Sequence, residues 1–337
     1  MGQHRPPEEW IGEVIDNKYR IKGILGVGGM GMVFRAKRVM VGDEVALKIL
    51  FPRLLRSALQ RRLFQDEAIA SARLSHPHVV TVYDADLAGD DTAYIAMELL
   101  HGHTLKDLMK AEAPMEPLRL LAVAMQICDG LSAAHKARIV HRDLKPDNIF
   151  LEARDTWPPR IKLVDFGIAA MVDADRNDEN ERLLGTLRYM SPEQCRGDAL
   201  DGRADLYSLG VLLYEGLTRR RATGKTLAAV LRDEIKPPNT VLPEGKALPH
   251  SLENLVMRLL AKRAEDRPAN AREVQATLTA IIDELTAGSA PVAPVAVAPL
   301  EPLTPPEAGP SWRLWLGLLL AGIAGVSAGV LWEYFRQ

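Results

Sequence analysis

Short apolar runs set off by turn residues dominate the start of this chain, and longer helical patterns dominate its middle. Tyr19 to Leu25, Met32 to Arg38 and Glu44 to Leu50 predict three short strands joined by tight turns. A helix is expected over about Leu59 to Leu74, then two more strands, Val79 to Ala85 and Ala93 to Leu99. From Leu105 onward helical spacing takes over, in Leu118 to Lys136, Ala204 to Leu217, Leu227 to Glu234, Leu252 to Lys262 and Ala271 to Glu284. A small sheet-rich part followed by a larger helical part predicts an α+β chain of two lobes. A cleft between lobes is a common ligand site.

Beyond Leu285 the pattern changes twice. Residues 286–311 include the run PVAPVAVAPLEPLTPPEAGP, which cannot build a core and reads as an extended, semi-rigid linker. Leu314 to Trp332 then gives nineteen residues without a charge. At ~1.5 Å per residue such a helix spans about 28 Å, close to the hydrocarbon thickness of a bilayer. Trp312 and Trp315 mark one end and Trp332 and Tyr334 the other, as interfacial aromatics do. The expectation is one membrane-spanning helix over 312–332 with a short tail, 333–337. Ala321, Gly325 and Gly329 form a small-residue stripe on it that could pack helix against helix in a homodimer.

Composition changes this picture little. The 337 residues are 47% hydrophobic and 26% charged, enough for one large or two modest folded domains. A formal net charge of -2 gives no global basic field, so nucleic acid is not an expected partner. Cys128 and Cys195 fit no metal or redox spacing and agree with a reducing compartment. Met1 to Asp16 is polar, so no secretory signal is expected.

Candidate chemistry lies at four places. Gly26-Val27-Gly28-Gly29-Met30-Gly31-Met32-Val33 sits between the first two strands, where glycines let backbone approach a phosphate closely. The chain returns as a strand, not a helix, which argues against a dinucleotide fold. Gly224-Lys225-Thr226 has Arg219 where a P-loop needs its first glycine. Lys48, in Val45-Ala46-Leu47-Lys48, is a lysine in an apolar strand. It needs a partner carboxylate unless it faces water from an edge strand, and Glu67 in the following helix is the expected one. His141-Arg142-Asp143-Leu144-Lys145-Pro146-Asp147-Asn148 puts a carboxylate, an ammonium and an amide in one loop. Phosphoryl transfer needs those three functions. Leu163-Val164-Asp165-Phe166-Gly167 adds a hard oxygen ligand suited to Mg²⁺.

The order of these motifs, closed by Ser191-Pro192-Glu193, resembles the protein-kinase signature set over roughly Tyr19 to Leu285. The glycine loop, His76-Pro77-His78-Val79-Val80 and Tyr189-Met190-Ser191-Pro192-Glu193-Gln194 are most similar to bacterial membrane serine/threonine kinases. The resemblance implies a two-lobed kinase fold over 19–285, after an N-terminal extension, 1–18. It implies transfer of the ATP γ-phosphate to Ser/Thr of proteins, with Mg²⁺ (or Mn²⁺) as metal. By the same resemblance Asp143 is the base, Lys145 and Lys48 contact phosphates, Glu67 steadies Lys48, and Asn148 and Asp165 hold metal. Adenine would lie between Leu25, Val33 and Ala46 above and Phe150 below. Met97 would be the gatekeeper and Glu98 to Leu100 the hinge. Asp205 would brace the catalytic loop, and Glu193 would pair with Arg267. The kinase part would then be cytoplasmic on a single-pass cell-membrane protein with no sensor domain beyond the membrane. A membrane-tethered pseudokinase scaffold or a nucleotide-sensing adaptor is the alternative, disfavoured because Lys48, Glu67, Asp143, Asn148 and Asp165 are all present.

Departures from the family pattern are few. Ser191 stands where Ala is usual, with little consequence expected, and Thr218-Arg219-Arg220-Arg221-Ala222 is a solvated basic run or a dock for acidic substrate or lipid. Ile168 to Gly185 holds no Ser, Thr or Tyr, although Thr186 follows. A carboxylate among Asp173, Asp175, Asp178, Glu179 and Glu181 could pair with Arg142 in place of a phosphate, or the loop is merely acidic. The pairs His76/His78 and His101/His103 are expected to be structural rather than metal ligands, and Cys195 a plain thiol.

Overall fold

A computed structural model describes residues 5–88, 92–153, 157–166, 187–224 and 226–287. The first lobe is a six-stranded antiparallel sheet in the order β1-β2-β3-β4-β6-β5. Its strands are β1 Val14–Ile15, β2 Tyr19–Val27, β3 Gly31–Arg38, β4 Glu44–Leu50, β5 Val82–Ala88 and β6 Thr92–Glu98. Helix α1, Ala58–Ala72, crosses between β4 and β5, and Ser57 and Gln60 close a reciprocal capping box at its start. One face of the sheet packs Ile21, Phe34, Leu47 and Tyr94 together, and the other packs Leu54, Phe64, Val80 and Ile95 beside α1.

Two boundaries differ from the sequence expectation. Residues 7–15 join the folded lobe: Pro7–Trp10 form a 3-10 turn, Trp10 lies 6.3 Å from Phe34, and β1 pairs with β2. The expected strand from Val79 begins at Val82. Val79 instead makes an isolated parallel bridge to Leu163, and Val80 N–H donates to Leu163 O at 2.9 Å. That apolar run is therefore shared between the lobes.

The second lobe begins with β7 Gly102–Thr104, α2 Leu105–Glu112 and α3 Pro117–Lys136, followed by β8 Ile149–Glu152 and β9 Ile161–Leu163. β7, β8 and β9 form a small sheet that carries the ends of the catalytic segment. Then come α4 Pro192–Arg196, α5 Arg203–Thr218, α6 Leu227–Arg232, α7 Pro238–Val241, α8 His250–Leu259 and α9 Ala271–Ala287. Every residue of α5 after Arg203 is buried. A helix apolar on nearly all sides is stable only inside a core, and α5 forms that core with Leu120, Leu121, Ile127, Leu255 and Val274.

Helix α9 ends two residues beyond the expected boundary at Leu285. Among the described residues no helix is long and apolar enough to cross a membrane. The rest of the linker, the segment 312–332 and the tail lie outside the described residues.

Candidate active site

The glycine-rich segment is the β2–β3 turn. Gly28 N–H donates to Gly31 O at 2.8 Å and closes it. A Cβ on Gly31 would stand 2.2 Å from Ile49 O, so only glycine lets β3 cross β4 this closely. Leu25 and Val27 are exposed at the lip. Register places Val33 opposite Lys48, and Ala46 opposite Met97, which brings the expected adenine-facing residues onto adjacent strands. Phe150, on β8 opposite Thr104, is half-buried.

Glu98 has a second task. Its Oε1 accepts from Lys162 Nζ at 2.6 Å and from Thr81 N–H at 2.7 Å, so its side chain is engaged with β9. Sequence reasoning missed this pair. Lys162 sits between Ile161 and Leu163, an apolar-strand lysine of the same kind that singled out Lys48.

The catalytic loop hangs from Asp205 on α5. His141 N–H and Arg142 N–H donate to its two carboxylate oxygens at 2.9 Å each, and His135 Nε2 lies 2.7 Å away. Burial opposes the charge on Asp205, but His135 and these amides hold its pKa below the usual carboxylate range. Arg142 has φ 65°, a left-handed conformation that costs a non-glycine residue about 1 kcal/mol or more. The two amide bonds to Asp205 hold the backbone there.

Within the loop, Asp143 Oδ2 accepts from Lys145 Nζ at 2.6 Å and from Asn148 Nδ2 at 3.0 Å. Asn148 Nδ2 also donates to Asp143 O at 2.8 Å. The Asn148 amide nitrogen is thus fixed on Asp143, and no hydrogen bond among the described residues takes its Oδ1. That oxygen and the carboxylate of Asp165 are the hard donors a Mg²⁺ ion prefers. The donor set fits the expected metal.

One expected pair is not formed. Lys48 Nζ lies 2.7 Å from Asp165 Oδ1, while Glu67 Oε1 accepts from Arg142 NH1 at 3.1 Å. The expectation of a Lys48–Glu67 pair is corrected: both residues flank the site, but their charges are exchanged between other partners. A guanidinium already holds Glu67, so the buried ammonium of Lys48 settles on Asp165. Burial raises the pKa of Asp165, but the Lys48 charge beats it and leaves the group below its ordinary value. The proposed partners of Arg142 in Ile168 to Gly185, with Thr186 and Gly167, lie outside the described residues.

Phe166 is buried with its ring 4.4 Å from that of His141. Burial pushes the His141 pKa down, so the ring is neutral when folded. Protons therefore favour the unfolded chain once the pH falls below the ordinary histidine value, ~6.5. This contribution to stability is complete above that pH and is lost on descending toward the depressed folded value. We expect the melting temperature to drop between pH 7 and pH 5, and less steeply in His141→Phe. Parallel pH profiles for the two proteins would refute this.

Ser191 does more than expected of it. It is fully buried at the N-cap of α4, its hydroxyl accepts from Gln194 N–H at 3.4 Å, and Gln194 Oε1 accepts from Ser191 N–H at 3.0 Å. Gln194 Nε2 in turn donates to Arg142 O at 2.7 Å, tying this cap to the catalytic loop. Glu193 pairs with Arg267 at 2.6 and 2.8 Å, as expected. His76 and His78 approach Asp129 at 3.6 and 3.9 Å, and among the described residues no three or more His, Cys, Asp and Glu side chains gather into a group that could hold a metal.

The family model described as protein kinase domain matches residues 19–278, and the chain belongs to that family. It is 39% identical over 288 residues to the serine/threonine-protein kinase pkn3 of Myxococcus xanthus, covering 82% of this chain and 52% of that one. To PknB of Mycobacterium tuberculosis it is 36% identical over 277 residues, 79% of this chain and 43% of the relative. The chain therefore spans about half the length of these curated relatives or less. The crystal structure of the M. tuberculosis PknI kinase domain superposes with a TM-score of 0.67 at 26% identity, over 81% of this chain and 98% of that one.

Proposed function

We propose that the chain is an ATP-dependent serine/threonine protein kinase. One observation carries this: Asp143, Lys145 and Asn148 converge through bonds of 2.6 and 3.0 Å, across from Asp165 and Lys48. Asp143 would orient an incoming hydroxyl and take its proton. Lys145, at hydrogen-bond distance from that carboxylate, would carry charge of the transferring phosphate. Asn148 Oδ1 and Asp165 would hold Mg²⁺, whose charge neutralises the phosphates when bound. Lys48 must leave Asp165 for this arrangement and become free for phosphate. The ATP base would lie between Leu25, Val33, Ala46 and Phe150, with Gly26 to Met32 over its phosphates.

Residues 19–285 would be the catalytic domain, with 286–311 as spacer. The charge-free run and its flanking aromatics support a membrane helix over 312–332, with the catalytic domain cytoplasmic beside its ATP and the stripe from Ala321 to Gly329 as a homodimer contact. The exchanged ion pairs at Lys48 and Glu67 favour a second reading, a nucleotide-binding scaffold that does not turn over. The full chain in liposomes, given labelled ATP, Mg²⁺ and a Ser/Thr-containing protein, separates the two. We expect label on serine or threonine, lost on chelation of the metal. ATP binding with no transfer would refute the kinase reading.

A further inference from the structure

A cluster beside the catalytic loop is not needed for the chemistry above. Glu215, on α5, is 3% exposed. Arg188 Nε donates to its Oε1, and Tyr189 OH donates to its Oε2 at 2.6 Å. Both oxygens of the buried carboxylate are therefore engaged by the segment just ahead of α4. Arg188 Nε makes the bond, and no hydrogen bond among the described residues takes the terminal nitrogens of that guanidinium. The side chain is 35% exposed and lies over the Tyr189 ring at 5.6 Å.

Further positive charge stands next to it. Helix α5 ends three residues after Glu215, and Arg219 to Arg221 follow, all exposed. Burial raises the pKa of Glu215, against the hydrogen bonds from Tyr189 and Arg188 and, to a smaller extent, the charge of Arg221. Arg188 thus sits on the buried carboxylate, and three exposed arginines follow it in the chain at the end of α5, so positive charge outnumbers negative along this stretch. The segment lies beside the catalytic loop: Gln194, five residues after Tyr189, donates to Arg142 O at 2.7 Å, and Asp147, between Lys145 and Asn148, favours the charged form of Arg188. Asp147 is itself paired with Lys106. Tyr189 O accepts from Ser208 Oγ at 2.7 Å, which fixes the segment on α5.

We infer that Arg188, with Arg221, selects protein substrates carrying an acidic or phosphorylated side chain next to the Ser/Thr acceptor. A basic substrate side chain would find the Glu215 carboxylate occupied and the Arg188 charge in its way. A carboxylate or phosphate would meet the free edge of Arg188, whose planar fork suits either group. Complementary charge of this kind acts on specificity more than on turnover. The inference rests on the kinase reading for the word substrate, but the binding preference can be read without phosphoryl transfer.

The test uses the full chain and three fluorescent peptides, identical except for Asp, Ala or Arg on both sides of one serine. Binding and kcat/KM are measured for each, in wild type and in Arg188→Gln/Arg221→Gln. We expect the Asp peptide to be preferred over the Arg peptide by about tenfold, chiefly in Kd and KM, and the ratio to collapse toward one in the variant. The ratio is read within each protein, so a general loss of activity does not obscure it. A flat or reversed preference in wild type, or an unchanged ratio in the variant, would overturn the inference. Tighter binding of the Asp peptide without any transfer would sink the kinase reading and leave this one standing. Loss of binding to phosphatidylglycerol vesicles in the variant, with the peptide ratio untouched, would assign the arginines to lipid instead.

Discussion

Asp143→Asn should lower phosphoryl transfer about 10²–10⁴-fold, the range for loss of a positioned general base. The substitution keeps the shape of the side chain and removes its charge. In the native site Asp143 Oδ2 accepts from Lys145 and Asn148 together. An asparagine amide can still accept one of these bonds through its oxygen, but its nitrogen cannot take a proton from a hydroxyl. Melting temperature and ATP binding should change little, because Lys48, Asp165 and the glycine turn are separate from this carboxylate. Single-turnover transfer at saturating ATP is the measurement. A variant within a few-fold of wild type would remove Asp143 from the role of base.

The second large effect concerns stability. Arg267 is 2% exposed, and its guanidinium reaches both oxygens of Glu193, Ala261 O at 2.9 Å and Arg203 O at 2.9 Å, above the Tyr207 ring. Burial raises the pKa of Glu193, yet Arg267 holds it below the ordinary range, so the carboxylate stays charged. Arg267→Met leaves that charge buried and unpaired, which costs about 3–5 kcal/mol. For a domain of this size the melting temperature should fall by roughly 10 °C. Replacing both partners, as in Glu193→Gln/Arg267→Met, should recover part of the loss, because the unpaired charge is gone. Calorimetry of the three proteins checks this. A single-variant loss under about 1 kcal/mol would show that the pair is not the brace described here.

The pair also has a functional reach. It anchors α4, whose Gln194, the partner of the Ser191 cap, bonds Arg142 O in the catalytic loop. Arg188 and Tyr189 lie on the segment immediately before α4, so their placement on Glu215 depends on the same anchor. Weakening Arg267 is therefore expected to blur the peptide preference described above as well as to lower stability.

Much of this protein was determined by its sequence alone. The strand and helix patterns place β2 to β4, α1, α3, α5 and α9 within a few residues, because their apolar spacing is long and regular. Ends shift where a residue serves two elements, as Val79 does between β9 and the first lobe. The string from His141 to Asn148 fixes its own chemistry, since Asp143, Lys145 and Asn148 are near neighbours in the chain and a tight loop must bring them together. The pairing of Glu193 with Arg267 was legible only through resemblance, seventy-four residues apart.

What the tertiary structure decided is which charge meets which. Lys48 has carboxylates at Glu67 and Asp165 within the same region, and sequence order does not rank them. The guanidinium of Arg142 claims Glu67, and Lys48 goes to Asp165. Glu215 reads in the sequence as one more acid in an apolar helix, and only packing shows that Arg188 and Tyr189 occupy it. Electrostatic pairing depends on distance and on desolvation, and both are set by the assembled fold rather than by position along the chain.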